Sequence, residues 1–225
     1  MTSPTRVVDE PAIVLHTRPY RETSLIISVL TLNHGRVSLV GRGIRGRRGR
    51  SIQPFSMVRI GWSGRTSLGT MTGCEAERQY WFGGASLASA FYLAELVTRL
   101  VAEREAHPRL YAALAWAYEH LEHRPALVLR SFEKILLEDL GYGLDFEQDV
   151  DGEALLPDRH YRLLPDRGFE PASDGYPGDV LVRIGKGAFH ERDVRRAARR
   201  LFGEALAVHL GPKPLVSRRL LMRTG

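Results

Sequence analysis

The hydrophobic period of this chain changes near residue 80, and that change limits the possible folds more than any other feature. Up to about Ala76 the apolar residues follow strand spacing, and from Gly84 they follow helix spacing. Ile13 and Leu15 open an apolar run. Leu25, Ile27 and Val29 alternate with Ile26, Ser28 and Leu30, as in a strand buried on both sides. Asn33-His34-Gly35 is a turn signal, and the stretch from Arg36 to Val40 alternates again. Val58, Ile60 and Trp62 share one face, Ser63-Gly64-Arg65 turns the chain, and a threonine-rich stretch from Ser67 to Cys74 returns.

Short strands separated by glycine and arginine loops predict a small barrel or sandwich, and a five-stranded barrel of the OB type fits this length and strand count. The second half reads as a helical bundle. Leu87, Phe91, Ala94, Leu96, Val97, Leu100 and Val101 mark a first helix. A second starts at Pro108, where a missing N–H matters little, and buries Leu110, Ala113, Leu114, Ala117 and Leu121. A third runs from Pro125 through Leu129, Phe132, Leu136 and Leu140 until Gly141 and Gly143 stop it. The segment from Leu144 to Asp179 holds ten acidic residues and no sustained period, and is expected to be an irregular acidic insertion. Helical spacing resumes from His190 to Leu210, with Val194, Ala198, Leu201, Ala205 and Val208 as its apolar side. The expected fold is α+β, with an OB-type barrel over 1–80 and a mainly helical domain over 81–225.

Charge points to the partner. The chain of 225 residues has a net charge of +6. Between Glu22 and Glu75 no acidic residue occurs, yet Arg36, Arg42, Arg45, Arg47, Arg48, Arg50, Arg59 and Arg65 do. Such a stretch needs anions from outside itself. A polyanion supplies them, because each phosphate contact releases condensed counterions. Guanidinium forks onto phosphate and stacks on bases better than ammonium does. Arg36, Arg42, Arg45, Arg47, Arg48 and Arg50 are therefore the first candidates for nucleic-acid contact. Tyr20, between Arg18 and Arg21, is the candidate for base stacking, while Phe55 and Trp62 read as core. A second basic face is expected where Arg192, Arg195, Arg196, Arg199 and Arg200 recur at helical spacing. The same spacing also fits a solvated face paired with the acidic segment.

Other chemistry finds little support. Cys74 is the sole cysteine, so no intramolecular disulfide and no cysteine zinc cluster is expected. His120 and His123 lie one turn apart without an obvious third ligand, and Gly185-Lys186-Gly187 lacks the spacing of a phosphate-binding loop. No arrangement points to catalysis, a metal or a cofactor. Neither a secretory signal nor a membrane span is read, so the expected location is the cytoplasm.

Several motifs carry a resemblance. They are Glu22-Thr23-Ser24-Leu25, His34-Gly35-Arg36-Val37, Val40-Gly41-Arg42-Gly43-Ile44-Arg45, Gln53-Pro54-Phe55, Arg130-Ser131-Phe132-Glu133, Leu140-Gly141-Tyr142-Gly143 and His209-Leu210-Gly211-Pro212-Lys213-Pro214-Leu215 with Ser217-Arg218. In order and over nearly the whole chain, these resemble the bacterial RecO family of recombination mediators. The resemblance implies an OB domain followed by a helical domain. It implies binding of single- and double-stranded DNA, annealing of complementary strands, and action with RecR on strands coated by single-strand-binding protein, so that RecA is loaded, without catalysis. It places the protein in the cytoplasm, with the nucleoid. It also implies a site for the acidic tail of single-strand-binding protein, for which Arg130, Phe132 and Lys134 are the candidates; an ordinary bundle face fits them equally. The chain departs from some relatives in having no cysteine between Leu144 and Asp179, so no zinc is expected there, and in placing Val216 where many relatives have a basic residue. A basic RNA-binding OB protein is the alternative reading.

Overall fold

Two irregularities in one long strand close the N-terminal sheet. The computed structural model describes residues 6–44, 52–64 and 68–223. Strand β1 (Arg6–Tyr20) pairs antiparallel with both β2 (Ser24–Thr31) and β4 (Ser56–Ser63). Register shifts between Val14 and His16 and between Val7 and Glu10 curl it enough to serve both neighbours. Strand β3 (Gly35–Gly41) follows β2, and β5 (Leu68–Gln79) joins β4 antiparallel and β3 parallel. The result is a closed barrel of order β1-β2-β3-β5-β4, as the OB-type reading requires. Val14, Ile27, Val29, Val37, Leu39, Val58, Ile60 and Trp62 fill it.

The helical period begins with α1 (Gly84–Leu100), α2 (Pro108–His120) and α3 (Pro125–Asp139). Pro108 and Pro125 each sit in the first turn, where their missing N–H leaves no bond unmade. Helix α1 buries more than one stripe, because Ala90, Leu93 and Val97 are as fully enclosed as Leu96.

Two compact units result, and they do not divide at the change of period. One comprises residues 1–122 and 215–225, the other 123–214. Phe55 explains why the first unit extends past the barrel. Its ring makes edge contacts with Phe82, with Phe91 of α1 and with Tyr118 of α2, at 5.6, 5.1 and 5.5 Å between centroids. The expectation that Phe55 and Trp62 are core holds: they are 5% and 2% exposed. The chain also returns to this unit as α6 (Val216–Arg223), which packs on α1. Glu95 of α1 accepts hydrogen bonds from Val216 N, Ser217 N and Ser217 Oγ at 2.9, 2.8 and 2.5 Å, so a carboxylate caps the start of α6. Burial raises the Glu95 pKa, but the Ser217 and Val216 hydrogen bonds and the Arg99 charge outweigh it, and the net shift is downward.

The second unit corrects the reading of an irregular insertion. Strands β6 (His160–Leu164), β7 (Gly168–Ala172) and β8 (Tyr176–Pro177) form a sheet of order β7-β6-β8, and helix α4 (Gly178–Gly185) follows at once. The strands are too short and too charged on their outer faces to show a period. Their inner residues Tyr161, Phe169 and Tyr176 are nonetheless buried. Helix α5 (Arg192–Leu210) packs against α3 and α4 through Val194, Ala198, Leu201, Phe202, Ala205 and Leu206. Val208, expected on the apolar side, is exposed instead, and Phe202 and Leu206 complete the buried stripe.

Candidate nucleic-acid interface

One end of the barrel opens into a cleft of about 790 Å³, bordered by the β1–β2 turn, the end of β3 and the start of β5. Tyr20, Arg21, Thr23, Arg42 and Thr70 line it, with Glu22 as its one acid. Tyr20 and Arg42, two of the expected contact residues, thus meet in one place. Arg21, absent from the expected set, lies over the Tyr20 ring with its guanidinium carbon 5.2 Å from the centroid. Its backbone has φ of 53°, a left-handed conformation uncommon for a residue with a side chain. The turn therefore holds an aromatic ring and an exposed cation together at the cleft. Their adjacency in sequence was the available signal.

The arginine segment begins at this cleft. Its first apolar residue packs back over Gly41, where a Cβ would lie 2.4 Å from Ile44 Cδ1. Ile44 and Ile52 both pack against the barrel core. The run of glycine and arginine is therefore anchored at each flank by an apolar side chain. Arg45, Arg47, Arg48 and Arg50 lie outside the described residues, as does Arg65.

Arg36 stands apart from the other expected contact residues. It does not join this cleft. Its Nε donates to Val101 O at 3.0 Å and its Nη1 pairs with Glu103 at 3.2 Å. Arg104 N donates to Arg36 O at 3.0 Å. Beside it Gly35, at φ of 66°, leaves 1.9 Å between a would-be Cβ and Glu105 O, which no other residue could occupy. Gly35-Arg36 is thus a staple between the β2–β3 turn and the loop after α1. Arg59 is occupied too, by Asp9: the guanidinium holds two carboxylate contacts of 2.8 and 2.6 Å. The hydrogen bond from Arg59 keeps the Asp9 carboxyl below its ordinary range.

On α5 the expected basic face divides. Arg192, Arg196 and Arg199 are exposed, and among the described residues no ion pair engages them. Arg195 instead donates to the carbonyls of Phe189 and His190 at 2.9 and 2.6 Å, securing the turn before the helix. Arg200 lies 4.0 Å over the Tyr176 ring and 3.8 Å from Glu204. Arg183 takes up nearby acids, pairing with Asp179, Glu191 and Asp193.

Arg130, Phe132 and Lys134 do not form the open groove that was expected. Arg130 and Glu133 make a buried pair at 2.7 Å, their side chains 8% and 2% exposed. Phe132 is core, and Lys134 is paired with Glu138. Arg130 thus faces inward, with its guanidinium engaged by Glu133.

The remaining candidates have structural partners. Burial pushes the Cys74 thiol up to about 11, away from nucleophile chemistry. His120 stacks on Trp116 at 4.8 Å and donates Nδ1–H to the Trp116 carbonyl. Among the described residues no group of three His, Cys, Asp or Glu side chains could hold a metal, and no helix is long and apolar enough to cross a membrane.

Comparison with known proteins agrees over the whole length. Residues 6–80 match the family model "Recombination protein O N terminal" and residues 84–219 match "Recombination protein O C terminal". The chain is 38% identical to the DNA repair protein RecO of Stutzerimonas stutzeri, covering 99% of this chain and 97% of that protein. It is 38% identical to the protein of that name from Halorhodospira halophila, over 94% and 95%, and 35% identical to that of Burkholderia pseudomallei, over 98% and 85%. With both family models matched in order and relatives aligned nearly end to end, this chain belongs to the RecO family.

Proposed function

We propose that this protein serves DNA repair and recombination by binding, not by catalysis. In this reading it holds single-stranded DNA at the barrel cleft, with Tyr20 and Arg21 offering a stacking surface and Arg42, Arg45, Arg47, Arg48 and Arg50 tracking phosphates. Arg192, Arg196 and Arg199 form a second phosphate surface that also suits duplex DNA. Both together let it anneal complementary strands. With RecR it acts on strands coated by single-strand-binding protein and so assists RecA loading.

The observation that carries the reading is the cleft itself. An aromatic ring, two exposed arginines and the root of an acid-free arginine segment meet at a barrel end where OB-type proteins use their loops. The direct test is annealing of complementary DNA strands precoated with single-strand-binding protein, without nucleotide or metal. Faster annealing than in a control without this protein is expected. Folded protein that binds RNA but leaves coated strands unannealed would defeat the proposal.

A further inference from the structure

In the second unit, the end of α5 and the segment after α3 border a cavity of about 390 Å³. Tyr142 and His209 form one wall, their rings stacked with centroids 3.6 Å apart and planes 14° from parallel. Tyr142 is 43% exposed, an aromatic surface left open to solvent. Asp145, Asp149 and Asp166 also line the cavity, with Arg167 as its one arginine. Asp145 and Asp149 each use Oδ1 to hold their own loop, accepting from Glu147 N and Gln148 N and from Asp151 N and Glu153 N. Oδ2 of each makes no hydrogen bond among the described residues. The last turn of α5 adds the negative end of a helix dipole. Residues 144–179 carry ten acids against three arginines, in a chain whose net charge is +6.

We propose that this cavity receives an arginine side chain from a basic segment of a partner protein. The planar guanidinium would lie on the Tyr142–His209 stack while its N–H groups meet the free carboxylate oxygens. Lysine fits less well, because a compact ammonium has no plane to stack and keeps its hydration more firmly. A nucleic acid is the wrong ligand, since the lining would repel phosphate. The proposal is independent of the DNA-binding reading.

The test uses the full chain without nucleic acid, titrated by calorimetry with acetylated, amidated hexaarginine and, separately, hexalysine. The net positive charge of the chain opposes diffuse attraction of either peptide. Hexaarginine is expected to bind one-to-one and roughly tenfold more tightly than hexalysine, and Tyr142→Ala should remove about that factor. Asp166→Asn should also weaken it. Asp166 has φ of 59°, which asparagine tolerates, so this variant keeps the turn. Thermal melts of both variants verify folding. No binding to wild type, equal binding of the two peptides, or full affinity in folded Tyr142→Ala would each overturn the proposal.

Discussion

Replacing Arg36 by Ala removes its bonds to Val101 O and Glu103, so the variant should lose about 1–2 kcal/mol of stability. DNA affinity at a fixed salt concentration should stay unchanged, as should its salt dependence. A denaturant melt and a binding titration together check this; a flatter salt slope with unaltered stability would return Arg36 to the interface. At Arg130 the effect is larger. Alanine there strips the ion-pair partner from buried Glu133, and about 3–5 kcal/mol of destabilisation is expected in urea unfolding. A loss below about 1 kcal/mol would mean the pair is effectively solvated. Both arginines stand in motifs that carry the resemblance to the family, so membership of such a motif alone does not separate a side chain that touches DNA from one that holds the fold. What separates them is the nearest partner, and that is fixed by a residue 65 positions away for Arg36 and three away for Arg130.

Among the elements, α6 is held by a titratable group. The Glu95 pKa is lowered in the folded state, so its contribution is present above the ordinary carboxylate range and is lost as pH falls through the folded value. Amide exchange at Val216 and Ser217 should therefore show less protection at acidic pH than near neutrality, after correction for intrinsic exchange. Glu95→Ala should remove about 1 kcal/mol of capping and leave protection low at both pH values. Undiminished protection in that variant would show that packing on α1 alone fixes the helix. The barrel strands and helices α1, α2, α3 and α5 were legible because each repeats its apolar spacing over several residues. Strands β6 to β8 were not, since strands of five residues or fewer give two or three inward positions at most, in β6 Tyr161 and Leu163, and these cannot establish a period. The cleft was legible in part. Tyr20 and Arg42 were visible as types, and the antiparallel registers Tyr20↔Ser24 and Leu25↔Gly41 bring them together across β2; Leu68 and Thr70 join through the parallel pairing of β3 with β5, which no local pattern records.

For the molecule as a whole, the arginine segment should dominate electrostatics with DNA. Replacing Arg45, Arg47 and Arg48 by Ala should weaken single-strand binding and lower the log–log salt slope by about 0.7 for each phosphate no longer neutralised. An unaltered slope would remove the segment from the interface. The order of the chain has another consequence. The first unit ends at Glu122 and resumes at Leu215, so every residue of the second unit is synthesised before the piece that covers α1. While that stretch emerges from the ribosome, the α1 surface around Glu95 stays without its helix. Co-translational maturation of the barrel-bearing unit must therefore wait for sequence far downstream, and a nascent chain halted before Val216 would display an unfinished surface to chaperones and proteases.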